Sequence, residues 1–143
     1  MSDITVIILT YNEEIHIRRC LENVKKFASK VYIVDCFSSD RTVEIAKEFG
    51  AEVVEHEWQG NQAEQFNWAL ENLSFSTKWV LRLDADEYLQ PELVTELNEK
   101  LPSLPEEVSG IIFNRRHIFM GKWMKRGIYP VTLLRVFRYG QGM

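Results

Sequence analysis

Short apolar runs alternate with amphipathic segments through the first hundred residues of the chain. These runs lie in stretches of four to six residues with β-branched side chains, which is typical of buried strands, while the segments between them have helical periodicity. The predicted strands are 4–9, 31–34, 52–55 and 78–83, and the predicted helices are 13–27, 40–49, 62–73 and 91–100. Strands that alternate with helices in this way form a parallel sheet with helices on both faces, so the sequence predicts an α/β fold.

The pattern changes after Pro105. Residues 110–114 and 131–138 predict two further strands, and the segment between them is rich in basic and aromatic side chains. We therefore divide the chain into a β/α half, residues 1–105, and a second portion of the same domain, residues 106–143. The last four residues, Gly-Gln-Gly-Met, suggest no closing element, and we expect the natural protein to continue beyond them.

Composition and charge narrow the class of protein. The 143 residues are 45% hydrophobic and 27% charged, which suits a packed globular domain. The formal net charge of -4 argues against a nucleic-acid-binding protein. Cys20 and Cys36 lack metal-ligand spacing and are predicted to be buried thiols in a reducing compartment. The N-terminus resembles neither a signal peptide nor a membrane span, so we expect a cytoplasmic protein.

The stretch WVLRLDADEYLQ, residues 79–90, ends a buried-type strand in a cluster of acidic side chains. Asp84, Asp86 and Glu87 lie within four residues, and carboxylates this close repel one another. Carboxylate oxygens suit Mg²⁺ or Mn²⁺, which can share its coordination sphere with phosphate oxygens. The alternative is a solvated turn, or acidic charges near the start of the helix at Pro91. The position after a strand of a parallel sheet favours the metal site.

Polar residues also follow the other predicted strands. Tyr11 could stack on a nucleobase, and the backbone N–H groups at the start of the next helix could meet a phosphate. Alternatively, Asn12 caps that helix and Tyr11 packs against the sheet edge. Asp35, after the second strand, could accept hydrogen bonds from a ribose or a base. All of these residues are expected at the same edge of the sheet as the acidic cluster.

One basic and aromatic segment stands out in the acidic chain. It could face an anionic glycan or an anionic membrane surface that carries a lipid-linked acceptor. It could equally be a solvated loop whose aromatic side chains fill the lower core. Its members are Arg115, Arg116, His117, Phe119, Met120, Lys122, Trp123, Met124, Lys125 and Arg126.

Four segments in this order resemble family 2 glycosyltransferases with the GT-A fold. They are VIILTYNEE (6–14), VYIVDCFSSDRT (31–42), NWALENL (67–73) and WVLRLDADEYL (79–89). Residues 112–142 are similar to bacterial members that build lipopolysaccharide core, capsule or exopolysaccharide. The resemblance implies a Rossmann-like, mostly parallel sheet in which residues 1–105 bind the nucleotide-sugar and residues 106–143 begin the acceptor side. It also implies an inverting transfer from a nucleotide-sugar, most often a UDP-sugar, to a glycan or lipid-linked acceptor. Peripheral contact with the cytoplasmic face of the inner membrane is a further expectation.

The resemblance also implies roles for particular residues. Asp86 would bind Mg²⁺ or Mn²⁺ with the diphosphate, and Asp84 would hold the ribose or support the metal. Thr10, Tyr11 and Glu13 would line the nucleoside pocket, with Asp35 nearby.

The chain departs from the family pattern in places. Cys36 stands where many members have a second acid, and Phe66 where many have a basic residue. The family's acidic general base is expected downstream of residue 143, so no catalytic residue is assigned.

Two other functions share parts of this pattern. A nucleotidyltransferase can combine such a sheet with an acidic metal site, but it usually has a Gly-rich, basic loop where this chain has TYNEE. A non-catalytic nucleotide-binding α/β module would leave the Asp84 cluster unexplained.

Overall fold

A computed structural model describes residues 4–58, 60–75, 77, 79–85, 89, 91–100, 110–114, 117–120 and 134–138. The strands are β1 (Ile4–Thr10), β2 (Lys30–Asp35), β3 (Glu52–Glu55), β4 (Trp79–Asp84), β5 (Gly110–Asn114), β6 (His117–Met120) and β7 (Leu134–Arg138). The helices are α1 (Glu14–Val24), α2 (Thr42–Glu48), α3 (Gln62–Asn72) and α4 (Pro91–Lys100).

The seven strands of the described residues belong to one sheet, in the order β3-β2-β1-β4-β7-β5-β6. The first four strands pair in parallel, with β1 between β2 and β4. The remaining strands pair antiparallel, and β7 lies between β4 and β5. The predicted α/β fold, with a parallel sheet built from the alternating strands and helices, is therefore confirmed, although the described strands after β4 make antiparallel pairs.

The core lies on both faces of β1, whose seven residues are all buried. Ile4, Val6 and Ile8 belong to a cluster with side chains of α1, α2 and α4. Ile7 and Leu9 point to the opposite face, where they pack with residues of α3. Burial on both faces is the reason that β1 is almost continuously apolar instead of alternating.

Several predicted boundaries shift in the structure. Helix α1 ends at Val24, three residues earlier than predicted, although Phe27 is still buried in the following turn. Of the predicted strand 131–138, the structure describes a strand only over β7. The basic and aromatic segment contains β6, which pairs with β5, so that part is not a loop. The other residues of the segment lie outside the described part of the chain.

Gly50 follows α2 and has a φ of 80°, a conformation that lets the chain turn back sharply at a helix end. In the part of the chain that the structure describes, no helix is both long and apolar enough to cross a membrane.

Candidate functional site

The carboxyl ends of the parallel strands meet at one edge of the sheet. Across this edge Thr10 lies beside Asp35, and Asp35 beside Glu55, while Asp84 lies beside Leu9 on the other side of β1. Strand order reverses at β1, because β2 and β3 extend one way and β4 lies on the other side. Parallel sheets bind ligands at such a reversal, beyond the carboxyl ends of the strands. As predicted, those polar residues that the structure describes therefore lie at one edge of the sheet.

A pocket of about 160 Å³ opens at this edge. Two of its lining residues, Tyr11 and Trp58, are aromatic. Tyr11 is 60% exposed and Trp58 is 49% exposed. Large aromatic side chains left this open to solvent can stack on a planar ligand. The lining residues are Leu9, Thr10, Tyr11, Val34, Cys36, Trp58 and Gln65.

Asp35 lies in the chain between the pocket-lining residues Val34 and Cys36 and is fully buried, with an exposed fraction of 0%. Its Oδ1 accepts hydrogen bonds from the hydroxyls of Thr10, at 2.7 Å, and Ser38, at 2.6 Å. Its Oδ2 accepts one from the backbone N–H of Ser38, at 2.7 Å. This carboxyl group therefore fixes the start of the loop after β2, and nucleoside binding by Asp35 stays a prediction.

The loops after β1 and β2 are joined through Asn12. Its backbone N–H donates to Ser38 Oγ at 2.8 Å, and its Oδ1 accepts from the Ser39 N–H at 2.8 Å. Asn12 and Phe37 both have positive φ values, 51° and 57°. Such a φ is uncommon for a bulky residue such as Phe37, so the surrounding hydrogen bonds must hold it in place.

The interpretation of Asn12 as a helix cap is wrong, because its side chain binds the loop after β2. The first N–H groups of α1 are bound instead by side chains at the start of α2. Glu13 N–H donates to Thr42 Oγ1 at 2.8 Å, and Glu14 N–H donates to Asp40 Oδ2 at 3.2 Å. Asp40 also accepts a hydrogen bond from the Thr42 N–H at 2.9 Å. It does so from two residues before the start of α2, because Arg41 is the residue that immediately precedes the helix. Asp40 thus ties together the N-termini of both helices.

Cys36 presents a half-buried thiol to the pocket. Burial raises the pKa of this thiol, and the negative charges of Asp35 and Glu57 raise it further. The thiol is therefore neutral at physiological pH. Cys20 is fully buried as predicted, whereas Cys36 is more accessible than predicted.

The acidic cluster is described only in part. Asp84 is half-buried at the end of β4, whereas Asp86 and Glu87 lie outside the described residues. Among the residues that the structure does describe, no three His, Cys, Asp or Glu side chains are grouped so that they could hold a metal ion.

The structure places Thr10 and Tyr11 in the lining of the pocket and Asp35 in a hydrogen bond with Thr10, with Asp84 one strand away. Glu13 is half-buried and immediately precedes α1. Sequence reasoning missed Trp58 and Gln65. The position of Trp58 just after the third strand could have indicated it, because that loop leaves the same sheet edge.

The described residues form an α/β sheet with a pocket at the carboxyl ends of its parallel strands, and comparison with known proteins decides the family of the chain. The family model "Glycosyl transferase family 2" matches residues 5–141. The chain belongs to this family. An uncharacterized glycosyltransferase of Rickettsia typhi is 38% identical over 97 residues, covering 68% of this chain and 32% of that protein. The chain thus matches about a third of the length of such curated relatives.

Solved structures share the GT-A fold. The mannosyltransferase PcManGT from Pyrobaculum calidifontis, in complex with GDP-Man and Mn²⁺, has a TM-score of 0.67 and 21% identity, covering 95% of this chain and 44% of that one. Glucosyl-3-phosphoglycerate synthase from Mycobacterium tuberculosis, in complex with Mn²⁺, UDP and glucosyl-3-phosphoglycerate, has a TM-score of 0.59 and 22% identity. Coverage there is 74% of this chain and 41% of that one. These likenesses show the fold. Family membership favours glycosyl transfer over the nucleotidyltransferase and non-catalytic alternatives.

Proposed function

We propose that the whole protein transfers a sugar from a nucleotide-sugar donor to a glycan or lipid-linked acceptor, with inversion at the anomeric carbon. The supporting observation is the pocket at the carboxyl ends of β1 and β2, one strand away from Asp84 at the end of β4. This arrangement suits a donor whose base enters the pocket and whose diphosphate lies towards the acidic cluster. A UDP-sugar is the proposed donor.

Tyr11 and Trp58 are the proposed contacts for the base. Both line the pocket, and about half or more of the surface of each is open to solvent. Stacking a base between them would bury this aromatic area, a contribution of about 0.5–1.5 kcal/mol beyond the burial itself.

The residues present fit a divalent cation shared with the donor. Mg²⁺ and Mn²⁺ prefer oxygen ligands, and Mg²⁺ bound with phosphates needs only one or two protein carboxylates. Asp84 supplies a carboxyl group at the carboxyl ends of the parallel strands, and Asp86 follows it two residues later in the chain. We propose that these two residues hold the cation, which when bound would offset charge on the departing diphosphate.

The acceptor side is proposed from the sequence. Arg115, Arg116, Lys122, Lys125 and Arg126 would attract an anionic glycan or the headgroups around a lipid-linked acceptor. The proposal places the protein in the cytoplasm, at the inner face of the membrane where such acceptors are built.

Calorimetric titration of UDP, GDP and their sugar conjugates into the chain, with and without Mn²⁺, tests the proposal. We expect binding that depends on Mn²⁺ and prefers uridine nucleotides. Asp86→Asn and Asp84→Asn should each weaken binding about tenfold or more, because each removes a carboxylate from the cation.

Glu22→Gln is the matched control. Glu22 is exposed on α1, so the variant changes the same charge without changing the proposed site. Equal binding with and without Mn²⁺ would contradict the cation role, and preference for GDP would contradict the uridine donor. Absence of any nucleotide binding by the folded chain would contradict the proposed donor site.

A further inference from the structure

Gln65 is a buried polar side chain that the proposed donor site does not explain. It lies in the first turn of α3, is 1% exposed, and is one of the residues that line the pocket. Burying an amide is unfavourable unless its hydrogen bonds are made. The groups that hydrogen-bond to this amide therefore show which part of the chain Gln65 holds in place.

The hydrogen-bond partners of Gln65 show which of its side-chain atoms donates and which accepts. Its Nε2 lies 3.3 Å from the backbone carbonyl oxygen of His56, which can only accept, so Nε2 is the donor. The same nitrogen also donates to Cys36 Sγ at 3.7 Å. Oε1 is then the acceptor that lies 3.0 Å from His56 Nδ1, so His56 must carry a proton on Nδ1.

His56 begins the loop after β3, two residues before Trp58. Its ring stacks on Trp68 of α3, with the ring centroids 3.7 Å apart and the planes at 23°. Both the backbone and the ring of His56 are therefore held by α3. Because only one residue separates His56 from Trp58, the position of Trp58 at the pocket depends on how α3 holds His56.

We propose that Gln65 is a positioning residue that, through His56, holds the loop after β3 so that Trp58 forms the outer wall of the nucleotide pocket. The side-chain nitrogen and oxygen of Gln65 are both engaged within the protein, so it acts on the ligand through Trp58. The effect on nucleotide affinity rests on the proposed function, whereas the placement of Trp58 can be measured without any ligand.

The first test labels the chain with fluorotryptophan and follows Trp58 by fluorine NMR, with its resonance assigned from Trp58→Phe. Gln65→Met keeps the length of the side chain but removes its hydrogen bonds, and His56→Phe keeps an aromatic ring against Trp68 but removes the Nδ1 donor. We expect both variants to shift or broaden the Trp58 resonance in the free protein. An unchanged resonance in both variants would overturn the proposal.

Nucleotide titration supplies the second test. Gln65→Met should weaken UDP binding about fivefold to tenfold, the value of one positioned aromatic contact. In a Trp58→Ala background the same substitution should cause no further loss, because Gln65 acts through Trp58. Full additivity of the two substitutions would overturn the proposal.

Leu70→Ala is the matched control, since Leu70 is buried on the same helix but does not line the pocket. It should destabilise the fold while leaving the Trp58 resonance and UDP binding near those of the unmodified chain. Equal losses in Leu70→Ala and Gln65→Met would reduce Gln65 to a general stabilising role and overturn the proposal. If the unmodified chain binds no nucleotide, the proposed function fails, while the Trp58 resonance still decides the role of Gln65.

Discussion

At the scale of single residues, the candidate site depends on a carboxyl group that is fully enclosed. Asp35 accepts three hydrogen bonds from Thr10 and Ser38, and this arrangement shapes the loop that carries Cys36 and Phe37. A charged or polar group this deeply buried is stable only because its acceptor atoms are used.

Asp35→Ala should lower the free energy of unfolding by about 2–3 kcal/mol, because it leaves buried donors without an acceptor. Asp35→Asn should cost less, since the two hydroxyl groups can rotate to accept from the new amide. Urea denaturation of both variants checks this order. Equal stability of the alanine variant and the unmodified chain would show that the loop does not need Asp35.

The two cysteines should differ in reactivity. Cys36 should alkylate slowly at neutral pH and faster as pH rises through its raised pKa, because only the thiolate reacts. Cys20 is buried and should stay unmodified in the folded protein. Mass spectrometry after iodoacetamide treatment at several pH values measures both rates, with Cys36→Ser as the control. Rapid modification of Cys36 at pH 7 would contradict the neutral thiol.

At the scale of secondary-structure elements, α1 and α2 share one cap. Asp40 binds N–H groups at the start of both helices, and Thr42 binds the N–H of Glu13. Burial would raise the pKa of Asp40, but hydrogen bonds from Thr42 and Glu14 outweigh it and hold the pKa below its usual range. The ionised form of Asp40 therefore stabilises the folded state.

Asp40→Ala should lower the free energy of unfolding by about 1 kcal/mol at pH 7, a usual effect of removing a helix cap. The folded pKa of Asp40 is lower than the unfolded value of about 3.9, so its contribution is present above that pH. The contribution is lost as pH falls through the folded pKa. Urea denaturation at pH 7 and in acid should show the two chains converging at low pH. A constant difference at every pH would contradict this account.

At the scale of the whole molecule, the last third of the chain completes the sheet begun by the first two thirds. Strand β7 covers the free edge of β4, pairing Trp79, Val80 and Leu81 with residues 136–138. Without it β4 would be an exposed edge strand, a surface that promotes association between copies.

A chain ended after Pro105 should therefore self-associate or aggregate at concentrations where the full chain does not. Light scattering combined with size-exclusion chromatography compares the two at equal concentration. A monomeric, equally heat-stable 1–105 chain would show instead that the β/α half is independent of β7.

The sequence predicted the site only where local signals coincided with the strand ends. Tyr11, Asp35 and Asp84 could be placed at one edge because each follows an apolar run, and parallel strands align their carboxyl ends. Trp58 and Gln65 could not be assigned in this way, because they meet through the packing of α3 against the loop after β3. The alternative in which Asn12 caps α1 is wrong, and the sequence could not show this because a capping side chain gives no signal for which helix or loop it binds.

The sequence by itself determined the alternation of strands and helices, the two-sided burial of β1 and the family of the protein, because these follow from local periodicity and motifs. Only the tertiary structure decided that β7 pairs with β4, that the carboxylate oxygens of Asp35 accept hydrogen bonds from the loop after β2, and that Gln65 binds His56. These features depend on contacts between residues far apart in the chain or on local side-chain geometry. Periodicity records which face of an element is buried, but not which side chain will meet it there.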